Sequence, residues 1–147
     1  MANATMTKFG YPRTLVAETS SWTVQVRPQQ PTLGSLVLCC KEPVQAFGAL
    51  SPAAFADLQA VIQDTEAALG AFVGYRKINY LMLMMVDPDV HFHVVPRYEG
   101  ERTYRGLTLP DAGWPGPPAL GQAVAPDEEV LAALVADIQA HWPGRAA

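Results

Sequence analysis

The chain has 147 residues, half of them hydrophobic, and a formal net charge of −4; this suits one globular domain able to bury roughly two thirds of its unfolded surface. Lys and Arg are scattered, so the basic stripe that a phosphate backbone demands is missing and no nucleic acid is expected as a partner. No apolar run approaches the roughly 20 residues that span a bilayer, and Met1 to Lys8 hold no apolar signal core, so a cytoplasmic protein with no membrane association is expected.

Leu15 to Thr19 and Trp22 to Arg27 are rich in β-favouring residues. In the second run Trp22, Val24 and Val26 alternate with Thr23, Gln25 and Arg27, which predicts a strand with one wet face. Pro28 to Gly34 interrupts the pattern with two prolines and a glycine, and Ser35 to Cys40 resumes it, giving a hairpin with a long turn. Cys39 and Cys40 are adjacent and so point to opposite faces of a strand; both are expected to be reduced core filler. Glu42-Pro43 ends this arm, because proline donates nothing to a ladder.

Ser51-Pro52 supplies a serine N-cap and a proline in the first helical position. A long helix follows, with Phe55, Leu58, Ile62, Thr65, Leu69 and Phe72 as its buried stripe and Gly70 and Gly74 near its end. Ile78 to Val86 has one polar residue, Asn79, and predicts a central strand covered on both faces. Asp87-Pro88 fits the start of a type I turn, so this strand and the next are expected to form a tight hairpin.

In the next strand Asp89, His91 and His93 alternate with Val90, Phe92 and Val94, the period of a half-buried strand. Same-face side chains rise about 6 to 7 Å apart, so both imidazoles can address neighbouring atoms of one ligand. The blander reading makes them surface histidines of an exposed sheet face. Asp89 is either the last turn residue or the first of the ladder. Two histidines and a carboxylate are also the ligand types of a metal site. Gly100 to Pro126, rich in Gly and Pro, shows no period and reads as an irregular functional loop or surface tail. A last helix, about 127 to 142, opens on Asp127, Glu128 and Glu129 and buries Leu131, Leu134, Ile138 and Trp142.

His91-Phe92-His93-Val94-Val95-Pro96-Arg97 resembles the end of the histidine triad (HIT) motif, His-φ-His-φ-His-φ-φ, often followed by Pro-Arg. Leu33-Gly34-Ser35-Leu36-Val37-Leu38 is similar to the family's Pro-Gly-His-Val-Leu-Val segment. Ala49-Leu50-Ser51-Pro52-Ala53-Ala54 is similar to its Asp-Leu-Ser-Pro-Glu-Glu helix entry. The resemblance implies an α+β, HIT-like fold: an antiparallel sheet of about five strands with a long helix and a C-terminal helix. It implies one domain over 1–147, with its core at about 14–98. It also implies a nucleotide hydrolase or nucleotidyl transferase that cleaves a phosphoanhydride or phosphoramidate through a nucleotidyl-histidine on His91. His93 would contact phosphate oxygens or the leaving group, and Gln25, Arg27 and Arg97 would meet substrate. The expected partners are a nucleotide or dinucleoside polyphosphate and a second copy in a homodimer; no metal or other cofactor is implied.

Three positions depart from the family pattern. Asp89 replaces the first triad histidine, Ser35 replaces the histidine after Gly34, and Asp87-Pro88 stands where many relatives have a longer phosphate-gripping loop. A carboxylate beside phosphate costs on the order of 1 kcal/mol at 4 Å in water and several at lower dielectric. Asp89 is therefore expected to point away, to be neutralised by Arg97, Arg27 or Lys41, or to hold His91 in one tautomer as an orienting carboxylate. The alternatives are a catalytically weak nucleotide-binding module and a two-histidine, one-aspartate metal site.

Overall fold

A computed structural model describes residues 2–144; Met1 and residues 145–147 of the expected 1–147 domain lie outside the described residues. Strands β1 (Leu15–Glu18), β2 (Trp22–Val26), β3 (Leu36–Cys40), β4 (Lys77–Leu81) and β5 (His91–Arg97) make one antiparallel sheet in the order β1-β2-β3-β5-β4. The α+β class and five-stranded sheet expected from the sequence are both present.

Every residue of β2 and β3 is buried, because both faces of the sheet are covered there. Trp22, Val24, Val26, Leu36 and Leu38 share the main core with helices α2 (Pro52–Phe72) and α3 (Glu128–Ala140). Val37 and Cys39, on the opposite face, pack against Met6 and Phe9. Met6 lies in a short helix, α1 (Ala4–Lys8), and Phe9 directly follows it. Cys39 and Cys40 are free and fall into these two separate clusters, as adjacent strand residues must.

Ser51 caps α2 by accepting from the Ala54 N–H, with Pro52 in the first turn. The buried stripe is rotated from the expected one: Ala54, Leu58, Val61, Thr65, Ala68 and Leu69 face inward, while Phe55 is 42% exposed. The cause is Trp22, wholly buried, whose indole N–H donates to the Ala54 carbonyl at 2.9 Å. A bulky indole needs a small residue opposite, so the alanine side of the helix turns to the sheet. In α3, Asp127 accepts from the Val130 N–H, and Leu131, Leu134, Val135 and Ile138 are buried.

Three further expectations are overturned. The run Ile78 to Val86 is no central strand: β4 stops at Leu81, lies at the sheet edge and is only half-buried. Residues 82–90 form a long connection in place of the tight hairpin, with Met84 at φ 53°. Hydrophobicity alone misreads this segment because its apolar side chains border a cavity and solvent; Met85 is 84% exposed and Val86 82%. Nor is Gly100 to Pro126 wholly irregular. It opens with a separate hairpin of β6 (Glu101–Tyr104) and β7 (Leu107–Pro110). Arg105 at φ 47° and Gly106 at φ 83° make the left-handed two-residue turn that such hairpins prefer. Among the described residues no helix is long and apolar enough to cross a membrane.

Candidate functional site

β5 is interior to the sheet. His93 lies between Val37 and Leu81 and His91 opposite Cys39, so paired backbone on β3 fixes where both rings stand. The ring centroids are 5.2 Å apart with planes at 79°. Phe9 touches both, at 6.1 Å from His91 and 5.7 Å from His93. The histidines are therefore not an open surface pair: they are 2% and 7% exposed, yet both line a cavity of about 370 Å³. That volume lies within the usual range of small-molecule sites. Polar residues in the lining include Lys8, Arg27, Gln29 and Asp87. Apolar residues in the lining include Phe9 and the Leu83 to Val86 loop.

The two imidazoles have different surroundings. His91 Nδ1 lies 2.7 Å from the Asp89 carbonyl oxygen. A carbonyl can only accept, so Nδ1 carries the proton and Nε2 of the neutral ring holds the lone pair. His93 Nδ1 is buried with no hydrogen-bond partner among the described residues. Burial, with smaller contributions from the Arg27 and His91 charges, pushes the His93 pKa from 6.5 down to about 4. His93 is thus neutral at physiological pH.

Asp89 precedes β5 and is not part of the ladder. Its Oδ2 accepts from the Thr5 N–H at 3.2 Å and the Thr5 hydroxyl at 3.0 Å. The carboxylate therefore faces α1, and the orienting contact to His91 comes from the backbone carbonyl instead. Neither Lys41, paired with Glu18 at 2.8 Å, nor Arg97 neutralises it. With the carboxylate turned to Thr5, the three expected metal ligands do not converge, and no group of three or more His, Cys, Asp or Glu suits a metal among the described residues.

Of Gln25, Arg27 and Arg97, the three residues expected to meet substrate, Arg27 alone borders this cavity. Its Nη1 donates to the Gln29 carbonyl at 2.7 Å, while Nε is buried with no hydrogen-bond partner among the described residues. Burial lowers its pKa, but a guanidinium stays charged. Gln25 is wholly buried and structural: its Nε2 donates to the carbonyls of Met6 at 3.0 Å and Phe9 at 3.2 Å. Arg97 is held elsewhere on the same face, bidentate to Asp111 at 2.7 and 3.0 Å, with Asn79 Oδ1 at 2.7 Å and the Gly116 carbonyl at 2.8 Å. Ser35 belongs to the turn before β3, its hydroxyl donating to the Thr32 carbonyl at 2.9 Å.

Sequence reasoning missed Lys8, Phe9 and Asp87 as cavity residues. Lys8 Nζ pairs with Asp87 at 2.9 Å, which neutralises a carboxylate that lines the cavity. The one local signal for α1 is Asn3, whose side chain caps the helix at the Met6 N–H. Five residues are too few to show a helical period.

No family model matches the sequence, and no curated protein matches it. Solved structures do. A histidine triad protein from Sinorhizobium meliloti 1021 superposes with a TM-score of 0.75 at 22% identity, covering 96% of each chain. A histidine triad protein from Bradyrhizobium japonicum gives 0.73 at 17% identity over 97% of each chain. The diadenosine triphosphate hydrolase of Plasmodium falciparum, solved with cyclomarin A, gives 0.63 at 11% identity over 88% of this chain and 76% of its own. The architecture that sets His91 and His93 side by side over this cavity is the fold of the histidine triad proteins.

Proposed function

We propose that this chain is itself a histidine triad protein, a single domain that cleaves a nucleoside phosphoanhydride with His91 as the nucleophile. The observation that carries the reading is the 2.7 Å contact from His91 Nδ1 to the Asp89 carbonyl, which leaves the Nε2 lone pair on a ring bordering the cavity. A neutral imidazole so held needs no base to activate it. Nε2 forms a bond to phosphorus as the bond from phosphorus to the leaving oxygen breaks, the electron pair departing with that oxygen. Water then attacks the same phosphorus and gives up a proton to solvent, the N–P bond breaks, and its electron pair returns to Nε2; an acceptor alcohol in place of water, losing its proton likewise, makes the step a transfer. Arg27, which borders the cavity, supplies positive charge for the phosphoryl oxygens.

His93, neutral down to about pH 4, is a weak proton donor at pH 7. A leaving group that departs as an anion therefore suits the site better than an amine, which favours a phosphoanhydride over a phosphoramidate. The diadenosine triphosphate hydrolase among the structural neighbours supports dinucleoside polyphosphates as first substrates to try. The reading also includes a homodimer joined along the open edge of β4, which light scattering would report as twice the chain mass.

The test compares wild type with His91→Ala in hydrolysis of a dinucleoside triphosphate, with binding of a nucleoside monophosphate measured separately by calorimetry. Turnover is expected to fall at least about a thousandfold while binding persists. Equal hydrolysis by the two proteins contradicts the reading. A wild type that binds nucleotide without cleaving it supports the binding module instead.

A further inference from the structure

Asp89 is buried beside two histidines, yet its carboxylate engages neither ring. Oδ2 accepts from the Thr5 N–H and hydroxyl, and the Asp89 N–H donates back to Thr5 Oγ1 at 3.2 Å. Three bonds thus clasp two residues 84 positions apart. The rest of α1 is tied down independently. Asn3 Nδ2 donates to the Cys40 carbonyl at 2.9 Å, and Gln25 holds the Met6 and Phe9 carbonyls. So anchored, the segment sets Phe9 against both imidazoles. The main chain of the same aspartate supplies the carbonyl that receives His91 Nδ1–H.

We infer that Asp89 is a positioning residue whose clasp on Thr5 holds the carbonyl that keeps His91 in its Nδ1–H form, with helix α1 as the support and without contact to substrate. The inference deepens the proposed role of His91 and rests on it. The clasp requires an acceptor with two lone pairs on one oxygen, not a negative charge. An asparagine amide oxygen supplies that, whereas alanine supplies nothing and a neutral imidazole offers one acceptor nitrogen. Freed from Thr5, the 87–89 segment is held by the half-exposed Lys8–Asp87 pair at 2.9 Å and, one residue beyond Asp89, by the Val90 carbonyl accepting from the Cys40 N–H at 2.9 Å, and neither contact holds the Asp89 carbonyl itself. The Asp89 carbonyl is then free to swing from the ring, and the proton redistributes between the two nitrogens.

The test uses the full chain with ring-¹⁵N histidine and long-range ¹H–¹⁵N correlation, which assigns the tautomer without substrate. Wild type and Asp89→Asn are expected to show His91 as Nδ1–H. Asp89→Ala, Asp89→His and the near-isosteric Thr5→Val are expected to populate the Nε2–H form. In turnover, Asp89→Ala and Thr5→Val are each expected to lose at least about tenfold in kcat, the worth of one well-placed hydrogen bond, and their combination to lose little more than one alone. Asp89→Asn is expected to stay within about threefold of wild type. Thr5→Val covers the case of an unfolded Asp89→Ala. A wild-type tautomer in Thr5→Val, an Asp89→Asn variant as impaired as Asp89→Ala, or an Asp89→His variant with undiminished kcat each overturn the inference. A wild type with no turnover at all would count against His91 as nucleophile, and the tautomer spectra would still decide the clasp.

Discussion

Asp111→Ala removes the carboxylate that holds Arg97, and its cost follows from the burial of both. The Arg97 and Asp111 side chains are 4% and 1% exposed, and they meet through two bonds of 2.7 and 3.0 Å. In the variant the guanidinium keeps Asn79 Oδ1 and the Gly116 carbonyl but has no buried counter-charge. Removing one partner of such a pair costs about 3–5 kcal/mol. The Tyr98 N–H, which donates to Asp111 Oδ2 at 3.1 Å, loses its acceptor as well. For a chain of this size that loss lowers Tm by roughly 6–20 °C. Urea unfolding followed by tryptophan fluorescence reads the change, provided the m-value is unaltered. Arg97→Met combined with Asp111→Leu is expected to regain most of the loss, since apolar groups of similar volume replace a desolvated pair. A loss under about 1 kcal/mol, the range of exposed pairs, would refute the reasoning. So would an Arg97→Met variant of normal stability but weakened nucleotide binding, because Arg97 would then belong to the substrate site.

His93 makes stability depend on pH. Its folded pKa of about 4 lies below the ordinary 6.5, so the unfolded chain takes up a proton that the folded chain refuses between those values. Stability is full above about pH 6.5 and falls as pH drops toward 4; His93→Gln is expected to flatten that slope in urea titrations at stepped pH, and an NMR titration placing His93 near 6.5 would contradict it. Tyr98→Phe is expected to cost roughly 1–3 kcal/mol without changing turnover. The wholly buried hydroxyl accepts from the Leu33 N–H and donates to the Leu109 carbonyl, both at 2.8 Å, joining the β3 turn to β7. A shift in the urea midpoint too small to measure would show that water replaces it.

What the sequence made legible was what repeats locally. Alternation located β2 and β3, a serine and a proline started α2, and an aspartate started α3, because each signal and its consequence lie within a few residues. The facing side of α2 escaped because Trp22, on a distant strand, chose the alanines. The Met-rich loop escaped because apolar side chains around a cavity look like those of a buried strand. Site residues divided in the same way. His91 and His93 were readable from the period of two, whereas Asp89 and Arg97 took their roles from Thr5 and Asp111, which no spacing rule connects to them. Gln25 was read as a wet-face residue, but α1 covers that face, and its five residues left little trace in the pattern.

Rapid mixing with a dinucleoside triphosphate, an alkaline quench and peptide mass spectrometry tests directly whether an imidazole nitrogen attacks phosphorus. The prediction is a nucleoside monophosphate mass on the peptide containing His91, stable in alkali, lost in acid and absent from His91→Ala. Turnover without that adduct, or an adduct carried by another residue, contradicts it.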